Sequence, residues 1–302
     1  MRIIFMGTPD FAVASLDILV KNGYDVVAVV TASDKMGGRG GKDLIQSAVK
    51  KYAVEQGLKV LQPEKLRNED FLTELKSLNA DLQIVVAFRM LPEMVWNMPK
   101  LGTINLHGSL LPAYRGAAPI NWAVVNGEKE TGVTTFFLQH EIDTGDVLMS
   151  AKLAIGTDES AGEVHDRMML LGAETVLNSV KKIELGSYQL TPQNDSEASK
   201  APKIFLETCE INFEQAAKKV HDFIRGMSPF PTAWTKLNGI LLKVYKASYL
   251  IENHDFTIGD FSTDNKNYLR FYTSDGWILL EEIQLQGKKR MKIKEFLNGY
   301  KG

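Results

Sequence analysis

Continuous apolar runs and amphipathic stretches alternate through the first half of the chain. Residues 3–6 (Ile-Ile-Phe-Met) read as a buried strand, followed by Thr8 as a helix N-cap with Pro9 at the first helical position. Phe11, Leu16, Leu19 and Val20 form a helical stripe that stops at Asn22-Gly23. Residues 26–30, 82–87, 103–106 and 133–138 are further apolar runs. Strands apolar on both faces and separated by helices predict an α/β fold with a mostly parallel sheet covered on both sides. The glycine-rich Gly37-Gly38-Arg39-Gly40-Gly41-Lys42 interrupts this pattern as a flexible loop. Ser160 and Glu163 have capping-box spacing at the start of a long helix running from about 157 to about 184.

The pattern changes after residue 190. Residues 191–203 are polar, proline-flanked and without period, which predicts an interdomain linker over 190–203 between a first domain, 1–189, and a second, 204–302. One helix follows over 213–225, with Phe213, Ala217, Val220 and Ile224 on one face. Beyond Thr232 the chain reads as short strands and tight turns, Asn238-Gly239 and Ser274-Asp275-Gly276 being the clearest. A small OB-like β-barrel accounts for that pattern.

A length of 302 residues agrees with two domains. Lys+Arg 35 against Asp+Glu 37 leaves a net charge of -2, which argues against a wholesale nucleic-acid or membrane binder but leaves room for a local basic patch. Residues 204–302 carry 14 Lys+Arg against 12 Asp+Glu, and Lys288, Lys289 and Arg290 concentrate much of that excess. Such a run is usually a solvated face; on a barrel of a type used for oligonucleotides, phosphate contact becomes competitive. The single cysteine, Cys209, excludes an intrachain disulfide framework and a Cys-rich zinc site, and a reducing cytoplasm is the expectation. No apolar run is long enough to span a bilayer, and the apolar start ends at Gly7 in Thr8-Pro9-Asp10, as a strand and turn rather than a signal core.

Most familiar site patterns are missing. Gly7-Thr8-Pro9-Asp10-Phe11-Ala12 stands where a dinucleotide site would carry G-x-G-x-x-G, and there is no Walker loop, H-E-x-x-H or G-x-S-x-G. Nothing predicts a metal. The candidate chemistry sits at the end of the strand over 103–106, in Asn105-Leu106-His107-Gly108-Ser109-Leu110-Leu111-Pro112. Residues two apart in a strand share a face, so Asn105 and His107 point the same way. A carboxamide donates to a developing oxyanion, and an imidazole moves a proton near neutral pH, a pairing suited to acyl transfer to an amine. A carboxylate would orient the imidazole. Asp143 is the best placed, while spacing alone leaves Glu141 and Asp146 open. Taken alone, an N-x-H triplet more often satisfies buried backbone groups at a strand end.

The surrounding residues make the triplet specific. The run 105–120, with Glu130-Thr131-Gly132-Val133-Thr134 and Asp143-Thr144-Gly145, resembles the 10-formyltetrahydrofolate-dependent formyltransferases. The opening Gly7-Thr8-Pro9-Asp10-Phe11-Ala12, the loop Gly38-Arg39-Gly40 and the stretch Arg225-Gly226-Met227-Ser228-Pro229-Phe230-Pro231 are similar to that family too, so the resemblance covers nearly the whole chain. It implies a Rossmann-like formyltransferase domain and a catalytic trio of Asn105, His107 and Asp143. It further implies that Ser109, Leu110, Leu111 and Pro112 cradle the folate co-substrate, 10-formyltetrahydrofolate, with no metal. Initiator methionyl-tRNA is the implied acceptor, met by Arg39 and Lys42 of the early loop and by Lys288, Lys289 and Arg290. Arg89 stands where the family pattern has glycine, and either lines the folate site or faces solvent. A sugar-nucleotide N-formyltransferase shares the core motif and is the alternative, although a small sugar nucleotide needs neither the Arg39 loop nor a basic barrel. A non-catalytic RNA-binding protein is disfavoured by the intact trio, and a dehydrogenase by the missing glycine fingerprint.

Overall fold

Ile3, Ile4, Phe5 and Met6 are all buried in β1 (Arg2–Gly7), an interior strand of a seven-stranded sheet. The computed structural model describes residues 1–37 and 43–299, so the loop positions Arg39 and Lys42 lie outside the described residues. From β1 the chain passes through α1 (Asp10–Lys21) to β2 (Asp25–Val30) and a two-stranded arm, β3 (Lys35–Gly37) paired with β4 (Asp43–Ile45). Then come α2 (Ala48–Glu55), β5 (Val60–Leu61), α3 (Glu69–Ser77), β6 (Leu82–Val86), α4 (Glu93–Trp96) and β7 (Thr103–His107). β8 (Arg115–Gly116), α5 (Pro119–Val125), β9 (Glu130–Phe137), β10 (Val147–Ala154), α6 (Ala161–Glu184) and β11 (Lys200–Ala201) complete this part.

The sheet order is β10-β9-β7-β6-β1-β2-β5. The pairs from β7 to β5 run parallel, and β9 returns antiparallel beside β7. Leu16 and Leu19 of α1 are fully buried, each worth about 1.5–3 kcal/mol of apolar transfer. α1 begins one residue later than the sequence suggests. Pro9, extended at φ -76 and ψ 174, is its N-cap in place of Thr8, and its carbonyl accepts the Ala12 N–H at 3.1 Å. α6 starts with the expected reciprocal box, Ser160 N to Glu163 Oε2 at 2.8 Å and Glu163 N to Ser160 Oγ at 3.3 Å. His107 ends β7, at the carboxyl edge of the parallel strands where open α/β sheets hold their ligands.

Two compact units divide the chain, and the division does not follow chain order. Met1–Arg115, Gly132–Leu153 and Asp166–Lys200 form one; Gly116–Thr131, Ala154–His165 and the chain from Ala201 form the other. The second unit holds α7 (Ala217–Gly226), β12 (Ala233–Leu237), β13 (Ile240–Ile251), β14 (Phe261–Thr263), β15 (Leu269–Tyr272), β16 (Gly276–Leu285), β17 (Met291–Lys292) and α8 (Ile293–Gly299). Its strands form a curled antiparallel half-barrel, β12-β13-β16-β15-β14, with β17 added on β16. Asn238 (φ 48) and Gly239 (φ 79) make the two-residue turn that joins β12 to β13. α7 begins at Ala217 rather than Phe213, for a local reason. Asn212 Oδ1 accepts the Glu214 N–H at 2.9 Å and holds that stretch in a turn, while Asp275 Oδ1 takes the Ala217 N–H at 2.7 Å. Phe213 is left to stack on Phe271, centroids 4.8 Å apart, in the core of the half-barrel. α5 packs in this unit, where a Cβ at Gly226 would run into the Val125 backbone. Among the described residues no helix is long and apolar enough to cross a membrane.

Candidate active site

Asn105 and His107 project from one face of β7, a strand clamped between β6 and β9. His107 is held at one ring nitrogen and faces a carboxylate at the other. Its Nε2 lies 2.9 Å from the Tyr114 carbonyl oxygen. A carbonyl only accepts, so this contact places the proton on Nε2 and leaves Nδ1 with a lone pair in the neutral ring. Nδ1 faces Asp143 Oδ2 at 3.8 Å, with the two side chains only 7% and 14% exposed, so water screens the pair weakly. Asp143 is thus the carboxylate that the structure puts opposite the imidazole, and Glu141 lies exposed on the outer side of the same loop. Among the described residues no side chain bonds the Asn105 carboxamide, which leaves it available to a ligand.

The loop after β7 is shaped by bonds the sequence did not announce. Ser109 is buried and its hydroxyl donates to the Ala113 carbonyl at 2.6 Å, so it closes its own loop. Thr134, opposite His107 across the strand pair, donates to Ser109 O at 2.7 Å and accepts from Leu111 N at 3.1 Å. Leu110 fills the space a Cβ at Gly132 would need, which accounts for glycine in the Glu130-Thr131-Gly132 run. The Leu111–Pro112 peptide is cis. Tyr114 sits at φ 60 and Asp143 at φ 56, left-handed conformations that L residues adopt only when their surroundings hold them. A Cβ at Gly145 would collide with the Phe137 carbonyl, so the turn after Asp143 requires glycine.

The predicted linker supplies part of this frame. Gln193 Nε2 donates to the Asp143 and Gly145 carbonyls at 2.9 and 2.8 Å, and Ser199 Oγ accepts the Tyr114 N–H at 2.9 Å. No spacing rule finds such bonds, because they join side chains to backbone across 48 to 85 residues. Beside the Asp143 loop lies a cleft of about 430 Å³, walled by Trp96, Leu138, Pro192 and polar groups of Thr144, Asp146 and Gln193. Arg89 is exposed and bonds the Pro63 carbonyl and, at 2.8 Å, that of Glu64. Its guanidinium therefore braces a neighbouring loop. In the second unit, Lys288 and Lys289 are exposed, whereas Arg290 pairs with Glu282 at 2.6 Å and lies 4.2 Å over the Tyr245 ring. That guanidinium holds the Glu282 carboxyl below its ordinary value. Among the described residues there is no group of three or more His, Cys, Asp or Glu able to hold a metal.

The family model "Formyl transferase" matches residues 1–180, and "Formyl transferase, C-terminal domain" matches residues 203–301. Among solved structures, the sugar 3N-formyl transferase WlaRD superposes with a TM-score of 0.70 at 21% identity, covering 96% of this chain and 99% of that one. HypX from Aquifex aeolicus in complex with tetrahydrofolic acid gives 0.68 at 20%, covering 99% of this chain and 48% of that one. At such identities these structures show the shared fold. The sequence relatives are nearer. Methionyl-tRNA formyltransferase of Parabacteroides distasonis is 54% identical over 311 residues, covering 100% of this chain and 96% of its own. That of Flavobacterium johnsoniae is 51% identical over 304 residues, covering 99% and 96%. With half of all positions shared along the full length of both chains, this chain belongs to the methionyl-tRNA formyltransferases.

Proposed function

We propose that Asn105, His107 and Asp143 carry out transfer of the formyl group from 10-formyltetrahydrofolate to the α-amino group of initiator methionyl-tRNA. The reaction itself, formyl transfer from formyl-tetrahydrofolate to methionyl-tRNA for translation initiation, is that of the family to which the chain belongs; from its part in translation we infer a cytoplasmic enzyme. The amine forms a new C–N bond to the formyl carbon, the bond from that carbon to the folate nitrogen breaks, and one proton passes from the amine to the departing nitrogen. The observation that carries the assignment is the imidazole of His107, whose lone-pair Nδ1 faces Asp143 Oδ2 at 3.8 Å while Nε2–H is committed to Tyr114.

In this reading Nδ1 of His107 takes the amine proton, and the Asp143 carboxylate stabilises the imidazolium until the proton moves on. Asn105, on the same strand face, donates its carboxamide N–H to the formyl oxygen as negative charge develops there. Its freedom from other bonds fits a ligand-facing group. Leu110, Leu111 and Pro112 lie on the loop braced by Thr134, and we assign the folate to this loop, apolar side chains being suited to a flat pterin ring. Ser109 contributes by shaping that loop. The route needs no covalent enzyme intermediate. Cys209 is buried in the second unit, its thiol pushed up by burial and donating to Phe205 O.

We assign tRNA contacts to Arg39 and Lys42 of the early loop and to Lys288, Lys289 and Arg290. With Arg290 neutralised by Glu282, most of the phosphate attraction falls to the two lysines. Reversing both, Lys288→Glu with Lys289→Glu, weakens tRNA binding and flattens the slope of log K against log salt by about two. Filter binding across a salt series reads this, and an unchanged slope returns the run to a solvated face. The acceptor itself is tested by assaying 10-formyltetrahydrofolate with charged methionyl-tRNA and with a UDP-amino sugar in parallel. Product on the tRNA alone is expected; product on the sugar alone keeps the trio and overturns the tRNA assignments.

A further inference from the structure

Gln193 uses its carboxamide fully. Nε2 donates to the carbonyls of Asp143 (2.9 Å) and Gly145 (2.8 Å), and Oε1 accepts from Nε (3.1 Å) and Nη2 (2.8 Å) of Arg115. Two donors and two lone pairs are all that a primary amide offers. Arg115 is itself oriented, with Nη2 bonded to Asp195 Oδ1 at 2.8 Å and its backbone N–H to Ser199 O at 2.9 Å. The two carbonyls it serves through Gln193 flank a loop in which Asp143 is left-handed, φ 56, and Gly145 has no space for a side chain. A backbone in that conformation reverts to a commoner one unless something holds it. A few residues on, Ser199 holds the N–H of Tyr114, the residue whose carbonyl takes the His107 Nε2 proton.

We propose that Gln193, oriented by Arg115, is a positioning residue for formyl transfer. It fixes the Asp143 loop so that the carboxylate stays opposite Nδ1 of His107. The stretch 191–199 then serves as a brace, whose Gln193 and Ser199 together set both neighbours of the catalytic imidazole. This rests on the assignment of Asp143 made above. A displacement of about 1 Å at such a group costs up to about 100-fold in rate. A brace of this kind acts on kcat, because it moves the catalytic pair and leaves the tRNA contacts untouched.

The test is a double-mutant cycle in the full-length enzyme, joining Gln193→Leu with Asp143→Asn, read by kcat, by KM for methionyl-tRNA and by thermal unfolding. Gln193→Leu alone lowers kcat about 10- to 100-fold with KM near the wild-type value. In the Asp143→Asn background the same change costs less than about threefold, since the carboxylate it served is gone. A wild-type kcat for Gln193→Leu overturns the proposal, and so does a full multiplicative loss on top of Asp143→Asn. If Asp143→Asn alone keeps the wild-type kcat, the trio fails and the brace has nothing to position. Should Gln193→Leu not fold, Gln193→Glu serves instead. It matches the shape and keeps the acceptor toward Arg115, but sets an oxygen against two carbonyls and lowers kcat in the same way.

Discussion

His107→Ala is expected to lower kcat for formyl transfer by about 10²- to 10⁴-fold, the range supplied by a positioned general base. Nε2 of His107 is committed to Tyr114 and Nδ1 faces Asp143, so the imidazole is the group placed to move the proton in the proposed mechanism. Asp143→Asn keeps the shape and removes the charge proposed to stabilise the imidazolium, and its loss is expected in the same direction. Asn105→Ala removes the proposed donor to the formyl oxygen and is expected to cost about 10²- to 10³-fold, as for a lost oxyanion donor. In the proposed trio the three act as one unit, so the double variant His107→Ala/Asp143→Asn is expected to fall scarcely below the worse single variant. Single-turnover transfer with saturating tRNA separates these losses from binding. Wild-type rates in both the His107 and Asp143 variants would sink the assignment.

Asp222→Ala is expected to destabilise the second unit by about 3–5 kcal/mol, the cost of leaving a buried charge without its partner. Asp222 lies on α7, with Oδ1 accepting from Arg225 Nε at 2.8 Å and Oδ2 from Lys218 Nζ at 2.6 Å. Asp222 and Arg225 are both buried, and Arg225 reaches on to the Glu159 carbonyl at 2.9 Å, tying the 156–159 turn to α7. Removing the carboxylate strands a buried guanidinium, whereas Asp222→Asn keeps one acceptor and recovers part of the loss. Urea unfolding followed by tryptophan fluorescence measures both, and a midpoint unchanged in the alanine variant would show that the cluster is not a stabilising one.

The same cluster makes stability depend on pH with a defined sign. His221 is buried beside Asp222, and burial lowers its proton affinity below the ordinary 6.5 despite the nearby carboxylates of Asp222 and Asp158, with Arg225 and Lys218 opposing them. Below about 6.5 the unfolded chain binds a proton that the folded chain refuses. His221 therefore contributes fully above 6.5, and its contribution falls as pH drops from there through the lowered folded value. Replacing it with glutamine should take up to one proton from the slope of stability against pH in that window.

The two units were legible in different ways. Residues 3–6 and 26–30 are apolar on both faces, and 82–86 is so apart from Gln83, a pattern that the interior of a parallel sheet satisfies. Asn238-Gly239 with β-prone runs on either side allows little besides a hairpin. Where the reading slipped, a distant group intervened. Asp275 captures the Ala217 N–H and moves the start of α7.

The site divides along the same line. Asn105 and His107 share a face because strand side chains alternate every two residues, a local rule that any reader of the chain can apply. Choosing Asp143 over Glu141 and Asp146 needed the fold, since all three lie on one short loop and only its left-handed turn decides which carboxylate faces Nδ1. The braces, Thr134 on the 109–111 loop, Ser199 on Tyr114 and Gln193 on Asp143, were invisible to spacing. The apolar periodicity, the turn chemistry and the pair of groups on one strand face can be read along the chain, because each is set by neighbours a few residues apart. The carboxylate that faces His107 and the braces around it emerge with the fold, because those contacts join groups brought together from positions tens of residues apart.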